Sequence, residues 1–260
     1  MRTLAEMPSA GYFTDDSMLR RVHRERAIAL SGPRALLMQA AHPVAVRGLL
    51  AHSSALEEPY DRLARTAEAM STIGFGSRRA ADEVTARVRA LHRRARVDQP
   101  DLLLWVLFTL VDSGIVVYRM YVRGMDDEQQ AAYWEDYKVV GELFGLRRSE
   151  MPDTLADLRE YRREMLESGT LTVSDWARTR AREIVLEPPV PMVAQPLVEL
   201  VNFITISLLP GEIRKQYRFR PLPPAPLRRA LVAGGAEYVK RALIPFLPDR
   251  LRLVPAARAA

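Results

Sequence analysis

Between Pro33 and His92 lie three of the chain's four histidines, with Arg62, Arg65 and Thr66 set between them. A neutral imidazole is the commonest protein ligand for metals, and haem iron in particular accepts a single proximal histidine. His92 sits at the edge of an apolar stripe made by Ala81, Val84, Val88, Leu91 and Ala95, a position from which a side chain reaches inward. A lone histidine on such a face is also an ordinary hydrogen-bonded core residue. No second histidine follows at HExxH spacing, so a zinc centre of that kind is not supported. His42 precedes Pro43 at the exit of an apolar helix, where a structural hydrogen bond weighs ahead of a ligand role.

Arg62, Arg65, Thr66 and Ala69 follow the i, i+3, i+4, i+7 spacing that puts side chains on one helical face. Two cations and a hydroxyl there fit a solvated face. They also fit a polar cluster directed at something anionic in a cavity.

Three helices must position these groups. The first starts at Ser31-Gly32-Pro33, a capping residue followed by a proline whose missing N–H is harmless in the first turn, and Pro43 ends it. The second has an acidic start at Glu57, Glu58 and Asp61 and stops at Gly74-Phe75-Gly76. The third runs from Ala81 to Arg94. Beyond them, Leu102–Val122 is the most apolar segment, near the length of a membrane span. Asp112 in its middle opposes insertion by about 2.5–3.5 kcal/mol, which favours a buried central helix with Asp112 paired.

Further helices are expected from Asp126-Asp127 to Leu143 with Gly145 closing it, from Thr154 with Asp157 as a near capping box, and from Asp175 to Leu186 behind Ser174. Leu197–Leu209 is apolar enough for a core helix. Ser17–Leu30 reads as one arginine-bearing helix with His23 exposed, His52 carries no assigned role, and the tail after Pro255 reads as disordered. No alternating strand pattern occurs, so the fold class is all-α: a lead over 1–17, one globular helical domain over 18–254, and a tail over 255–260.

Composition narrows the chemistry. The chain has no cysteine, which excludes disulfides, iron–sulfur clusters and thiolate-ligated haem. The net charge of +6 comes almost wholly from scattered arginines without interleaved aromatics, which does not favour nucleic acid as a partner. No apolar segment of signal-peptide type follows Met1, and a cytoplasmic protein is expected.

The ordered set Gly32-Pro33-Arg34, Gln39-Ala40-Ala41-His42-Pro43, Arg62 with Thr66, Phe75-Gly76 and His92 resembles the rubber oxygenase (latex clearing protein) family. That family also includes the fungal membrane-bound oxygenase of mycophenolic acid synthesis. The resemblance continues through Asp101–Val106, Asp112-Ser113 and Leu209-Pro210 with Arg214, covering roughly residues 25–220.

It implies a globin-like helical core holding one b-type haem, with His92 as proximal iron ligand and Arg62 and Thr66 in the distal pocket. It further implies dioxygen and a small hydrophobic substrate as partners. Arg65 stands where rubber-cleaving members carry a lysine. A guanidinium is never deprotonated in proteins, so a lysine-closed iron is not expected. No acidic residue matches the upstream glutamate of those members, and the reading does not extend to polyisoprene cleavage. Arg62, Arg65 and Thr66 are thus the candidate catalytic residues, His92 the candidate metal ligand, and His92, His42 and Arg62 the candidate haem contacts. A haem-binding sensor without catalysis and a haem-free helical regulator are the rival classes.

Overall fold

The computed structural model describes residues 11–50, 59–187, 190–219 and 223–259, apart from the side chains of 47–50, 59–64, 225, 243 and 259. Among them are fourteen α-helices and no strand, so the fold is all-α.

The core is built around α6 (Pro100–Tyr121), preceded by α1 (Met18–His23), α2 (Ser31–Ala40), α3 (Pro43–Leu50), α4 (Pro59–Phe75) and α5 (Arg78–Ala95). Proline at the start of α6 and Asp101 in its first turn set its N-terminus, since the first turn needs no amide donor and favours a carboxylate. This helix is long and apolar enough to cross a membrane, yet 67% of its most apolar window is buried inside the protein. It packs against α2 and against α7 (Asp127–Phe144), which brings Tyr133, Trp134 and Tyr137 into the core. The Asp126 capping box with Gln129 starts α7, and Gly145 at φ 104° ends it, a conformation that glycine adopts without strain.

Around this centre lie α8 (Leu155–Glu167), α9 (Asp175–Val185), α10 (Gln195–Leu208), α11 (Gly211–Tyr217) and α12 (Ala225–Tyr238). Thr154 and Ser174 cap α8 and α9 as the sequence predicts.

The central charge is paired. Arg34, 2% exposed, donates to Asp112 Oδ2 at 2.7 Å, to Ser113 Oγ at 2.7 Å and to the Leu208 carbonyl at 2.9 Å. Arg162 approaches the other Asp112 oxygen at 3.4 Å. One guanidinium thus joins α2, α6 and the end of α10.

At Gly114 a side chain of α7 lies hard against α6: a β-carbon there would collide with the Tyr133 hydroxyl. Gly114→Ala is expected to destabilise the fold by about 1–3 kcal/mol through overpacking, measured as the shift in urea midpoint.

Four expectations need correction. The segment Ser17–Leu30 is not one helix: α1 ends at His23 and a 3₁₀ turn follows over Arg26–Leu30. Between them Glu25, 1% exposed, is gripped through both oxygens by Arg252 at 2.8 and 2.6 Å and bridges to Leu253. A local pattern carries no trace of a partner 227 residues away. Ser31 does not cap α2; its hydroxyl donates to the Ile28 carbonyl, and Leu30 occupies the cap position.

The tail is ordered as α13 (Asp249–Arg252) and α14 (Pro255–Ala259), the latter against α4. Finally, α10 is a core helix only in its second half: Leu197 and Leu200 are 65% and 55% exposed, whereas Thr205 and Ile206 are buried.

Candidate functional site

Helices α4 and α5 form an antiparallel hairpin around Gly74–Ser77. The turn is tight because Gly76 has no side chain; a β-carbon would lie 2.6 Å from the Thr72 carbonyl oxygen. Ser77 then caps α5, its hydroxyl accepting from the Ala80 amide at 3.3 Å. Near the turn the hairpin is anchored by Ala69, Met70, Ile73, Ala81 and Thr85, all buried.

Counting outward from the turn places the candidates. His92 lies as far along α5 as Arg62 lies back along α4, both roughly 20–25 Å from the turn at about 1.5 Å per residue. The backbone therefore carries Arg62 and His92 to the same, open end of the hairpin. The Arg62 side chain and all of His52 lie outside the described residues. Arg65 and Thr66, one turn nearer the bend, are exposed, whereas Ala69 on the same face is buried. The face read from the sequence thus passes from solvent at Arg65 and Thr66 into the core at Ala69.

His92 occupies the last turn of α5 and is half-buried, with Nδ1 shielded from solvent. Its ring lies 6.4 Å from that of Phe144 at 36°. The helix end beneath it is fixed by two backbone bonds, Val97 N–H to the His92 carbonyl and Arg96 N–H to that of Arg93, each 3.0–3.1 Å. Arg96 adopts φ 56° to make them, taking the left-handed position that glycine usually fills at such ends. Leu91 beside it is 48% exposed.

His42 has a structural task. Its Nδ1 accepts from the Val44 and Ala45 amides at 3.2 and 3.4 Å, capping α3. Burial lowers its pKa, which keeps that lone pair available. Only Nε2 is left to face a cofactor.

His23 is not exposed as expected. Its Nε2 lies 2.9 Å from the Tyr137 hydroxyl and 3.2 Å from that of Tyr133. Burial pushes this imidazole down to about 4 and raises both phenols. The signal was present as aromatics on α7 whose hydroxyls need partners in the core.

A depressed imidazole stabilises the fold fully above its unfolded value, near 6.5, and that contribution is lost as pH falls towards about 4, because the unfolded chain takes up the proton first. Melting temperature is accordingly expected to fall more steeply over that window in the unaltered chain than in His23→Gln.

Among the described residues the hairpin end holds one imidazole in a fixed helical turn with an aromatic ring beside it, and a single imidazole is the ligand type that a b-type haem takes. Among the described residues no group of three or more His, Cys, Asp or Glu gathers to hold a bare metal ion. Haem requires only one such ligand, and the residues fit it.

The chain belongs to the family described as ER-bound oxygenase mpaB/B'/Rubber oxygenase, catalytic domain, whose model matches residues 20–248. No curated protein and no solved structure gave a match.

Proposed function

We propose that this chain is a haem b-dependent oxygenase acting with dioxygen on a small hydrophobic substrate. The observation that carries the reading is the family match across residues 20–248, supported by the hairpin that brings Arg62 and His92 to one end. When bound, the haem would supply an iron able to activate dioxygen for insertion into, or cleavage across, a carbon–carbon double bond.

The rest falls to the chain. His92 would hold the cofactor, its orientation set by the locked last turn of α5 and the Phe144 ring. Arg62 and Arg65 offer guanidinium donors suited to a haem carboxylate or to an oxygen atom bearing negative charge. Thr66 adds a hydroxyl that both donates and accepts. Arg65 stays cationic throughout and never becomes an iron ligand. Val88 and Leu91 supply apolar surface against which an uncharged substrate excludes water.

The test is to load purified protein with hemin, record the absorbance, and follow oxygen uptake with unsaturated hydrophobic compounds. A haem band with substrate-dependent oxygen uptake is expected. Folded protein that stays colourless would overturn the cofactor assignment. A stable band without turnover on any alkene would leave a haem-binding protein and overturn the enzyme.

A further inference from the structure

A cleft lies towards the end of α6 away from His92. Gly114 meets Tyr133 and Gly141 meets Leu107, so α7 runs antiparallel to α6, and Phe144 and His92 lie beside the start of α6. Met120, at its other end, is roughly 20 Å from Leu107 by helical rise. There a cleft of ≈ 530 Å³ is lined by Met120, Ser207, Leu208, Val232 and Ala233 together with Arg214, Arg228 and Arg229. Its volume falls within the range of small-molecule sites.

Three features of the lining point to one kind of ligand. It is cationic on one side: three arginines contribute and no acidic residue does. Arg214 is held there by donating to the Ser207 and Leu209 carbonyls at 3.3 and 3.1 Å. Desolvation, then the charge of Arg228, lowers its pKa, with exposed Glu212 offsetting part of this. Arg228 makes no ion pair among the described residues.

The second feature is the Ser207 hydroxyl, which is buried in the wall without a hydrogen-bond partner, an arrangement that costs free energy until something fills it. The third is the apolar remainder, Met120, Leu208, Val232 and Ala233, which continues outward on α12 through exposed Leu227 and Leu231.

We infer that this cleft binds a single-chain amphiphile with an anionic oxygen head, a carboxylate or a phosphate, held by Arg214 and Arg228 with its chain on the apolar wall. Arginine's fork matches both head groups with paired bonds, and an alkyl chain laid on the apolar wall is removed from water. The site is separate from His92 and does not depend on the haem assignment.

The test is calorimetric titration of the full chain with dodecyl phosphate and with dodecanoate below their micellar concentrations. Inorganic phosphate, dodecyl maltoside and phosphatidylglycerol vesicles serve as comparison probes. Saturable one-to-one binding of both anionic amphiphiles is expected, with inorganic phosphate and the maltoside at least about tenfold weaker.

Arg228→Glu should weaken binding by about tenfold or more, since it reverses the charge facing the head. Ala233→Trp, which fills the cleft from an exposed helical position, should weaken it without altering charge. Circular dichroism should be unchanged in both. Three results would overturn the inference: equal affinity for inorganic phosphate, binding only to vesicles, or unaltered binding in both variants.

Discussion

Replacing His92 with alanine is expected to remove the haem absorbance band while leaving the helical circular dichroism as it was. The imidazole lies at the helix end, half-buried, and the bonds that close this end of α5 run through backbone atoms. The substitution therefore deletes the ligand without deleting the turn. Even an outer partner of a metal ligand is worth 10–100-fold in affinity, so hemin retention should drop at least about tenfold. Adding free imidazole to His92→Gly should restore part of the band, a result that a merely structural histidine would not give.

His42→Ala is the matched control. It should lose about 1 kcal/mol of stability, the worth of a helix cap, and keep the band. If His42→Ala lost the band and His92→Ala kept it, the ligand would be His42.

The second large effect is expected at Arg34. Arg34→Met keeps length and apolar volume but strands Asp112, Ser113 and the Leu208 carbonyl, all of which the guanidinium now serves. Removing one partner of a buried ion pair costs about 3–5 kcal/mol, because the remaining charge stays desolvated. Arg162 at 3.4 Å from Asp112 keeps part of that charge compensated, which sets the expectation nearer 3 than 5.

Arg34→Lys should rescue little, since an ammonium cannot present a fork to three acceptors spread over two helices. The double variant Arg34→Met with Asp112→Leu should recover much of the loss. Urea unfolding followed by circular dichroism measures all three.

Arg34 also shows what a sequence exposes and what it hides. The isolated Asp112 inside an apolar helix demands a partner, and the structure supplies one. The caps at Asp126, Thr154 and Ser174 were legible because capping is local: acceptor and amide are three residues apart. The same holds for Pro43, which separates α2 from α3.

Ser31 misled for the complementary reason, since its hydroxyl found a carbonyl in the preceding turn. His23 and Glu25 were hidden because their partners lie far along the chain, on α7 and α13. The first half of α10 was misjudged because apolar composition says nothing about which neighbours are there to cover it. At the candidate site, the spacing of Arg62, Arg65 and Thr66 gave a shared face. It could not show that the face has emerged from the core by Arg65 and Thr66.

The grip of Arg252 on Glu25 has a consequence for biosynthesis. Glu25 leaves the ribosome 227 residues ahead of its partner. At about 5–20 residues per second this is an interval of some 10–45 s. Throughout it the carboxylate must stay hydrated, and the strand-like bridge at its side must stay open. The nascent helices between them can assemble in that time, but these two segments close only once Arg252 has emerged. Ribosome-bound intermediates stalled before Arg252 should accordingly be more sensitive to protease near Glu25 than the released protein.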